Sequence, residues 1–214
     1  MSEAVKRGAV EKSGPVQART RFARRAVVDA ARTLFLERGY VATTVEAISE
    51  HSDVPPATVY RVFASKLGIL RALLETSIAG DDQPVAVHAR ADVAALFGEA
   101  DPHELLVGFA RVTTAINERT NDVYFVLLGA AGSDPAAGEL LDEIRRQRDR
   151  GQGRIARSLA RAHALEPGLR ERDAADVIHA LMSPELYRLL VGDRGWTSER
   201  YQQWLATTLM QQLT

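Results

Sequence analysis

No stretch of the 214 residues alternates apolar and polar side chains, whereas apolar residues recur at i, i+3 and i+4 through almost the whole chain. That period excludes a sheet and predicts an all-α fold. Ala23, Val27, Ala30 and Leu34, with Phe35 beside them, predict a helix from about Ala18 to Arg38, closed by Gly39. A second, short helix opens at Thr43 or Thr44 and turns Val45 and Ile48 inward, with Thr43 and Glu46 spaced as a capping box. Asp53-Val54-Pro55-Pro56 breaks the pattern, because proline disfavours the helical region for the residue before it and has no N–H to donate. The next short helix begins at Pro56 or Ala57, with Val59 and Phe63 inward and Thr58, Tyr60 and Arg61 directed elsewhere. Ser65 is a natural N-cap for a fourth helix with Leu67, Leu70, Leu74 and Ile78 on one face, ending over residues 80–84.

Beyond that point punctuation thins. A weak segment over 89–98 precedes a helix opened by Asp101-Pro102 and running to about Arg119, and another over 123–131. Ser133-Asp134-Pro135 starts an Arg-rich helix to about Ala164, with a bend expected at Gly151 and Gly153. Two helices remain: 171–191 with a kink at Ser183-Pro184, and 197–213 with Tyr201, Trp204, Leu205 and Leu209 on one stripe. The partition expected is a mobile basic arm over 1–17, an N-terminal helical domain over 18–81 and a C-terminal helical domain over 82–214.

Composition removes whole classes of function. With 46% hydrophobic and 26% charged residues the chain has a globular balance, and with no cysteine it has neither disulfides, nor a thiol nucleophile, nor cysteine-bound zinc. The uncharged run of the apolar middle, Val123–Ser133, is far short of the roughly 20 residues of a membrane span. The N-terminus has basic residues but no apolar stretch behind them, so the expected location is the cytoplasm and no membrane partner is expected. His51, His88, His103, His163 and His179 are scattered without ligand spacing, so no metal and no cofactor are expected. No GxSxG, P-loop, HExxH or dinucleotide fingerprint occurs, and Gly151-Gln152-Gly153 is too short to count, so an enzyme is not expected.

The net charge of −1 hides a division. Residues 1–80 carry twelve basic and eight acidic residues, a charge of +4, and the remainder carries −5. A basic head on an acidic body suits a nucleic-acid reader joined to a second module, although a few charges could fall so by chance. Two short helices around a tight turn make a helix-turn-helix candidate, an ordinary helical hairpin being the alternative. Mechanically, the second helix enters the major groove while the hydroxyls of Thr44, Thr58 and Tyr60 and the ammonium of Lys66 meet phosphates, Thr44 and Lys66 each at a helix start.

The residue order favours the DNA reading. Gly39-Tyr40-Val41-Ala42-Thr43-Thr44-Val45-Glu46-Ala47-Ile48-Ser49, followed by Val54-Pro55-Pro56-Ala57-Thr58-Val59-Tyr60-Arg61-Val62-Phe63-Ala64-Ser65-Lys66-Leu67, closely resembles the N-terminal domain of TetR-family transcriptional regulators. The resemblance covers about residues 18–80, and the segment from Met182 to Leu190 followed by Gly195-Trp196 is similar to a C-terminal subtype. It implies an N-terminal three-helix helix-turn-helix domain and a C-terminal ligand-binding and dimerisation domain. It also implies that Thr44, Tyr60 and Lys66 hold the phosphate backbone and that Pro55, Pro56, Ala57, Thr58 and Arg61 face or flank the bases. Arg61 suits a bidentate guanine contact, with a phosphate contact as the alternative. Three residues depart from the family pattern. Glu46 stands where arginine is common, Asp53 replaces a turn glycine, which Asp tolerates in the left-handed region, and Gly68 replaces a helix-favouring acidic residue and is expected to loosen the fourth helix.

For the C-terminal domain the resemblance implies two tasks. Leu181, Leu189, Tyr201, Trp204, Leu205 and Leu209 are the dimer candidates, with intramolecular core as the alternative. Phe109, Tyr124, Phe125, Leu128, Met182 and Tyr187 are the ligand-pocket candidates, with His163, His179 or Asn117 as polar handles; each is also a plausible core residue. The function expected is a homodimeric, sequence-specific repressor on a palindromic DNA operator, released by a small, largely apolar effector. A non-specific architectural DNA-binding protein and an activator of the same fold are the alternatives.

Overall fold

The protein is described from a computed structural model, which covers residues 15–80, 91–99 and 101–214; most of the expected arm and of the break after residue 80 lies outside these residues. Among them the chain is helical throughout, with no strand: α1 (Pro15–Ala42), α2 (Val45–Ser52), α3 (Pro56–Phe63), α4 (Lys66–Ala79), α5 (Ala91–Leu96), α6 (Pro102–Ala131), α7 (Pro135–Arg161), α8 (Glu171–Leu181), α9 (Pro184–Tyr187), a π-helical turn over Arg188–Asp193, and α10 (Ser198–Leu213).

Local chemistry sets most boundaries. Gly39, at φ 76°, breaks α1 where the sequence places its stop, leaving only Tyr40–Ala42 beyond it. The start differs from expectation, since residues 15–17 are helical and not part of an arm. Ser65, Asp101, Asp134 and Thr197 cap α4, α6, α7 and α10 by accepting from the N–H groups of Gly68, His103, Ala136 and Arg200. At α2 the cap is Thr44, which accepts from Ala47 N at 3.1 Å. Thr43 is buried instead, its hydroxyl donating to the Gly39 carbonyl at 2.8 Å, so the Thr43–Glu46 capping box does not form.

Three expected interruptions differ. Thr120-Asn121-Asp122 splits the sequence pattern, yet α6 runs unbroken, because Thr120 donates to the Ile116 carbonyl and Asn121 to the Pro184 carbonyl. α7 continues through Gly151 and Gly153. The 171–191 helix ends at Leu181 rather than kinking, and Ser183 caps a fresh start at Pro184 by accepting from Leu186 N.

Two apolar clusters organise the molecule. One joins α1–α4 to the second half of α6 and the first turns of α7, with Phe35, Ile48, Leu70 and Leu127 at its centre. The other joins α5, the first half of α6, the end of α7, α8, α9 and α10 around Leu106, Ile155, Ile178 and Leu205. Each of these fully buried side chains contributes about 1.5–3 kcal/mol of transfer free energy. The first cluster crosses the sequence boundary at 81/82, so the small helices at the N-terminus are packed onto the body through shared core.

Candidate nucleic-acid interface and body cavity

The turn between α2 and α3 is fixed from inside. Asp53 takes the left-handed conformation at φ 53°, as its residue type allows. The buried Ser49 hydroxyl donates to the Val54 carbonyl at 2.6 Å, while Val54 N donates back to the Ser49 carbonyl at 3.2 Å. Val59 and Phe63 anchor α3 in the core. The opposite edge of α3, made of Pro55, Pro56, Ala57, Tyr60 and Arg61, is exposed, with Thr58 half-buried. Arg61 makes no hydrogen bond or ion pair among the described residues, and its guanidinium is available to a partner. Tyr60 donates its hydroxyl to Glu46 Oε1 at 3.3 Å, and its pKa lies above the ordinary value through desolvation and the Glu46 charge. Glu46 is thus tied to the outer edge of α3, a role its capping spacing did not suggest.

Lys66 has a different place from the one implied for it. Its ammonium donates to the carbonyls of Tyr40 at 2.7 Å and Thr43 at 2.8 Å, with Val41 at 3.4 Å, and lies 4.3 Å from the Tyr40 ring centre. Two close carbonyls and a third, longer contact just beyond the Gly39 break hold the ammonium, so Lys66 clamps the α1–α2 junction. Gly68 also departs from expectation: a Cβ there would fall on the Phe63 carbonyl oxygen. It permits close approach of α3 and α4 rather than loosening α4.

An arginine-rich turn was not singled out from the sequence. Arg19, Arg21, Arg24 and Arg25 are exposed near the start of α1, and the Arg24 guanidinium lies 5.4 Å from the Phe63 ring, beside α3. The run Arg19-Thr20-Arg21-Phe22-Ala23-Arg24-Arg25 was the available signal.

In the body, α4, α5, α6 and α7 surround a cavity of about 780 Å³. Phe109, Tyr124, Met182 and Asn117 line it as expected of a pocket. Phe125, Leu128 and Tyr187 do not. Phe125 and Leu128 pack against the first cluster, with Arg188 over the Phe125 ring at 4.4 Å, and Tyr187 packs edge-on to Tyr201 in the second. His163 and His179 are likewise outside the lining, His179 Nδ1 lying 2.9 Å from both Gln152 Oε1 and Asp149 Oδ1. The lining missed from sequence comes from α4, through Leu74, Glu75 and Ile78, and from α7, through Arg148, Arg150 and Arg154. The Arg-rich helix reads as a solvated face; only tertiary packing turns part of it inward.

The polar groups at the cavity are unevenly satisfied. Tyr124 donates to Glu185 at 2.8 Å, and its pKa is raised by burial first and by Glu185 second. Tyr201, in the core behind the lining, donates to the Leu181 carbonyl, and burial pushes its pKa far up, opposed by the nearby Asn117 amide and Arg148. Asn117 Nδ2 and Arg148 Nη2 are sealed from solvent and reach hydrogen-bond geometry with no described group.

The dimer candidates divide. Leu189 is 49% exposed, and Leu181 and Trp204 are half-buried. Tyr201, Leu205 and Leu209 are fully buried within one chain and offer no surface to a second copy, because α6 and α8 already cover that face of α10.

Residues 27–73 match the model of "Bacterial regulatory proteins, tetR family". The N-terminal domain is of the TetR family. The TetR-type segment is 44% identical over 48 residues to the HTH-type transcriptional regulator YvkB of Bacillus subtilis, a match spanning 22% of this chain and 25% of that one. FadR from Bacillus subtilis, solved in complex with stearoyl-CoA, is similar over 87% of this chain and 97% of that one, at 18% identity and a TM-score of 0.67. NalD, the secondary repressor of the MexAB-OprM multidrug efflux pump in Pseudomonas aeruginosa, aligns over 91% and 98% at 20% identity and a TM-score of 0.66. At such identities the likeness is one of fold, and it extends the TetR-type architecture over the body. No described helix is long and apolar enough to cross a membrane.

Proposed function

We propose that the protein is a sequence-specific transcriptional regulator that binds a palindromic DNA operator as a homodimer, represses from it, and is released by a small effector held in the body cavity. The observation that carries the reading is the exposed edge of α3, held rigidly over a buried face in a TetR-type domain. The recognition edge offers Arg61 and Tyr60, while the Thr44 hydroxyl and the arginines at the start of α1 suit phosphates. A symmetric dimer requires half-sites about 34–36 Å apart. NalD, by name a repressor, and FadR, solved with an acyl thioester, support repression and an apolar effector for this chain by analogy of fold. The cytoplasm is the compartment this activity requires.

The test is selection of bound sequences from random duplexes, then titration of the winner at several salt concentrations with wild type, Tyr60→Ala and Arg61→Ala. A palindromic winner is expected, weakened by both substitutions. If Arg61 reads guanine, its loss costs about 1–3 kcal/mol and relaxes preference at one position; if it holds phosphate, all sequences weaken alike and the salt slope falls by about one. Binding without sequence enrichment, indifferent to either substitution, would leave the architectural reading instead.

A further inference from the structure

We infer that the cavity selects an amphipathic acid, with an anionic oxygen on Arg148, an acceptor on Asn117 and an apolar body along Leu74, Ile78, Phe109 and Val112. This deepens the effector reading and rests on it.

The argument begins with two unmet donors in one cavity. Asn117 is only 4% exposed and its amide Nδ2 lacks a partner, and the Nη2 of Arg148 is likewise enclosed and unpaired among the described residues. Buried donors are nearly always paired, and a guanidinium nitrogen left unpaired is the costlier of the two, so two orphans lining one cavity, from α6 and from α7, mark a place where acceptors belong. The Tyr124 and Tyr201 hydroxyls donate to Glu185 and to the Leu181 carbonyl and keep acceptor lone pairs, but neither oxygen is in hydrogen-bond geometry with Asn117 Nδ2 or Arg148 Nη2. The sign of the missing group follows from the charges around it. Among the described residues lining the cavity, Arg148, Arg150 and Arg154 are joined by one acidic side chain, Glu75, which is exposed on the α4 side, and Arg154 lies 4.1 Å from the centre of the Phe97 ring. A cation would meet excess positive charge, and an uncharged ligand would leave a guanidinium unpaired in a largely apolar enclosure. A carboxylate answers both.

The test uses calorimetry on the full chain with two acids and their alcohols: decanoate with decanol, and 2-naphthoate with 2-naphthalenemethanol. At least one acid is expected to bind wild type about tenfold or more tighter than its alcohol, as charge-assisted hydrogen bonds exceed neutral ones. Arg148→Met is expected to abolish that preference while alcohol binding persists, and its melting temperature is expected to equal or exceed that of wild type, since the substitution keeps the apolar stem and removes an enclosed donor that has no partner among the described residues. Equal binding of acid and alcohol to wild type, or a preference that survives in Arg148→Met, overturns the anionic assignment and leaves the cavity as an effector site. Binding of none of the four overturns both. A clearly lower melting temperature of Arg148→Met marks Arg148 as a structural support and also overturns the assignment.

Discussion

At Gly68 the Phe63 carbonyl occupies the space of a side chain, a constraint invisible in a sequence where the glycine reads only as a poor helix former. Lys66 is similar: its place at a helix start suggests phosphate, and only the folded chain brings three carbonyls to its ammonium. The α3 edge was more legible, since Pro55, Pro56, Ala57, Tyr60 and Arg61 are exposed for the same reason that Val59 and Phe63 are buried, the helical period. Tyr40, beneath Lys66, carries a pH prediction. Its hydroxyl donates to Asp134 Oδ2 at 3.1 Å, and burial, then the hydrogen bond and charge of Asp134, raise its pKa from 10.0 to about 12. Between those values the unfolded chain has released the proton and the folded one retains it, so stability falls as pH rises. The loss attributable to Tyr40 sets in near pH 10 and amounts to at most about 2 kcal/mol by pH 12, less to the extent that solvent screens the hydroxyl. Tyr124, Tyr187 and Tyr201 are raised as well and share the alkaline loss. Urea denaturation at stepped pH is expected to show a shallower decline in Tyr40→Phe than in wild type; parallel curves would show that Asp134 does not hold the tyrosine proton.

Caps were readable in sequence because a cap is local: Ser65, Asp101, Asp134 and Thr197 need only the first turn of their own helices. The continuity of α6 was not, because its polar interval is satisfied from Pro184, 63 residues away for Asn121. The consequence is a long helix whose two halves serve the two clusters, with Arg119 between them. Arg119 donates through Nε to the Ser77 carbonyl at 3.1 Å and through Nη2 to the Ile78 carbonyl at 3.2 Å, satisfying carbonyls at the C-terminal end of α4. Arg32 of α1 donates in turn to the Arg119 carbonyl at 3.4 Å. The helix so anchored begins at Ser65 beside α3 and presents Leu74, Glu75 and Ile78 to the cavity. Arg119→Met keeps the apolar stem and removes the donors. It is expected to cost about 2 kcal/mol in denaturant unfolding, in the range for hydrogen bonds from a charged group. It is also expected to increase amide exchange over the last turn of α4 before the rest of that helix; unchanged exchange there would show that the anchor is not what holds α4.

The all-α architecture followed from hydrophobic period, but period cannot tell whether an apolar stripe is covered by its own chain or by another, which is why Tyr201, Leu205 and Leu209 proved to be core. The cavity was legible only in part for the same reason: Phe109, Tyr124 and Met182 lie on apolar faces, whereas Arg148 is recruited from a helix that sequence assigns to solvent. What the whole molecule adds is a mechanical connection. One cluster binds α1–α4 to α6 and α7, and the ion pair from Arg71 to Glu143 at 2.8 Å ties α4 to α7 again, so neither helix shifts without the other sensing it. Under the proposed reading, a ligand wedged between α4 and α7 would press on the helix that follows α3. If the bound acid weakens operator binding about a hundredfold, the coupling is about 2.8 kcal/mol, and linkage requires the operator to weaken acid binding by the same factor. Calorimetric titration of the tighter-binding acid, with and without saturating operator duplex, is expected to return equal ratios. An acid affinity indifferent to the operator would mean that the cavity and the DNA edge, however closely packed, do not share a two-state element, and release by effector would fail even with both sites intact.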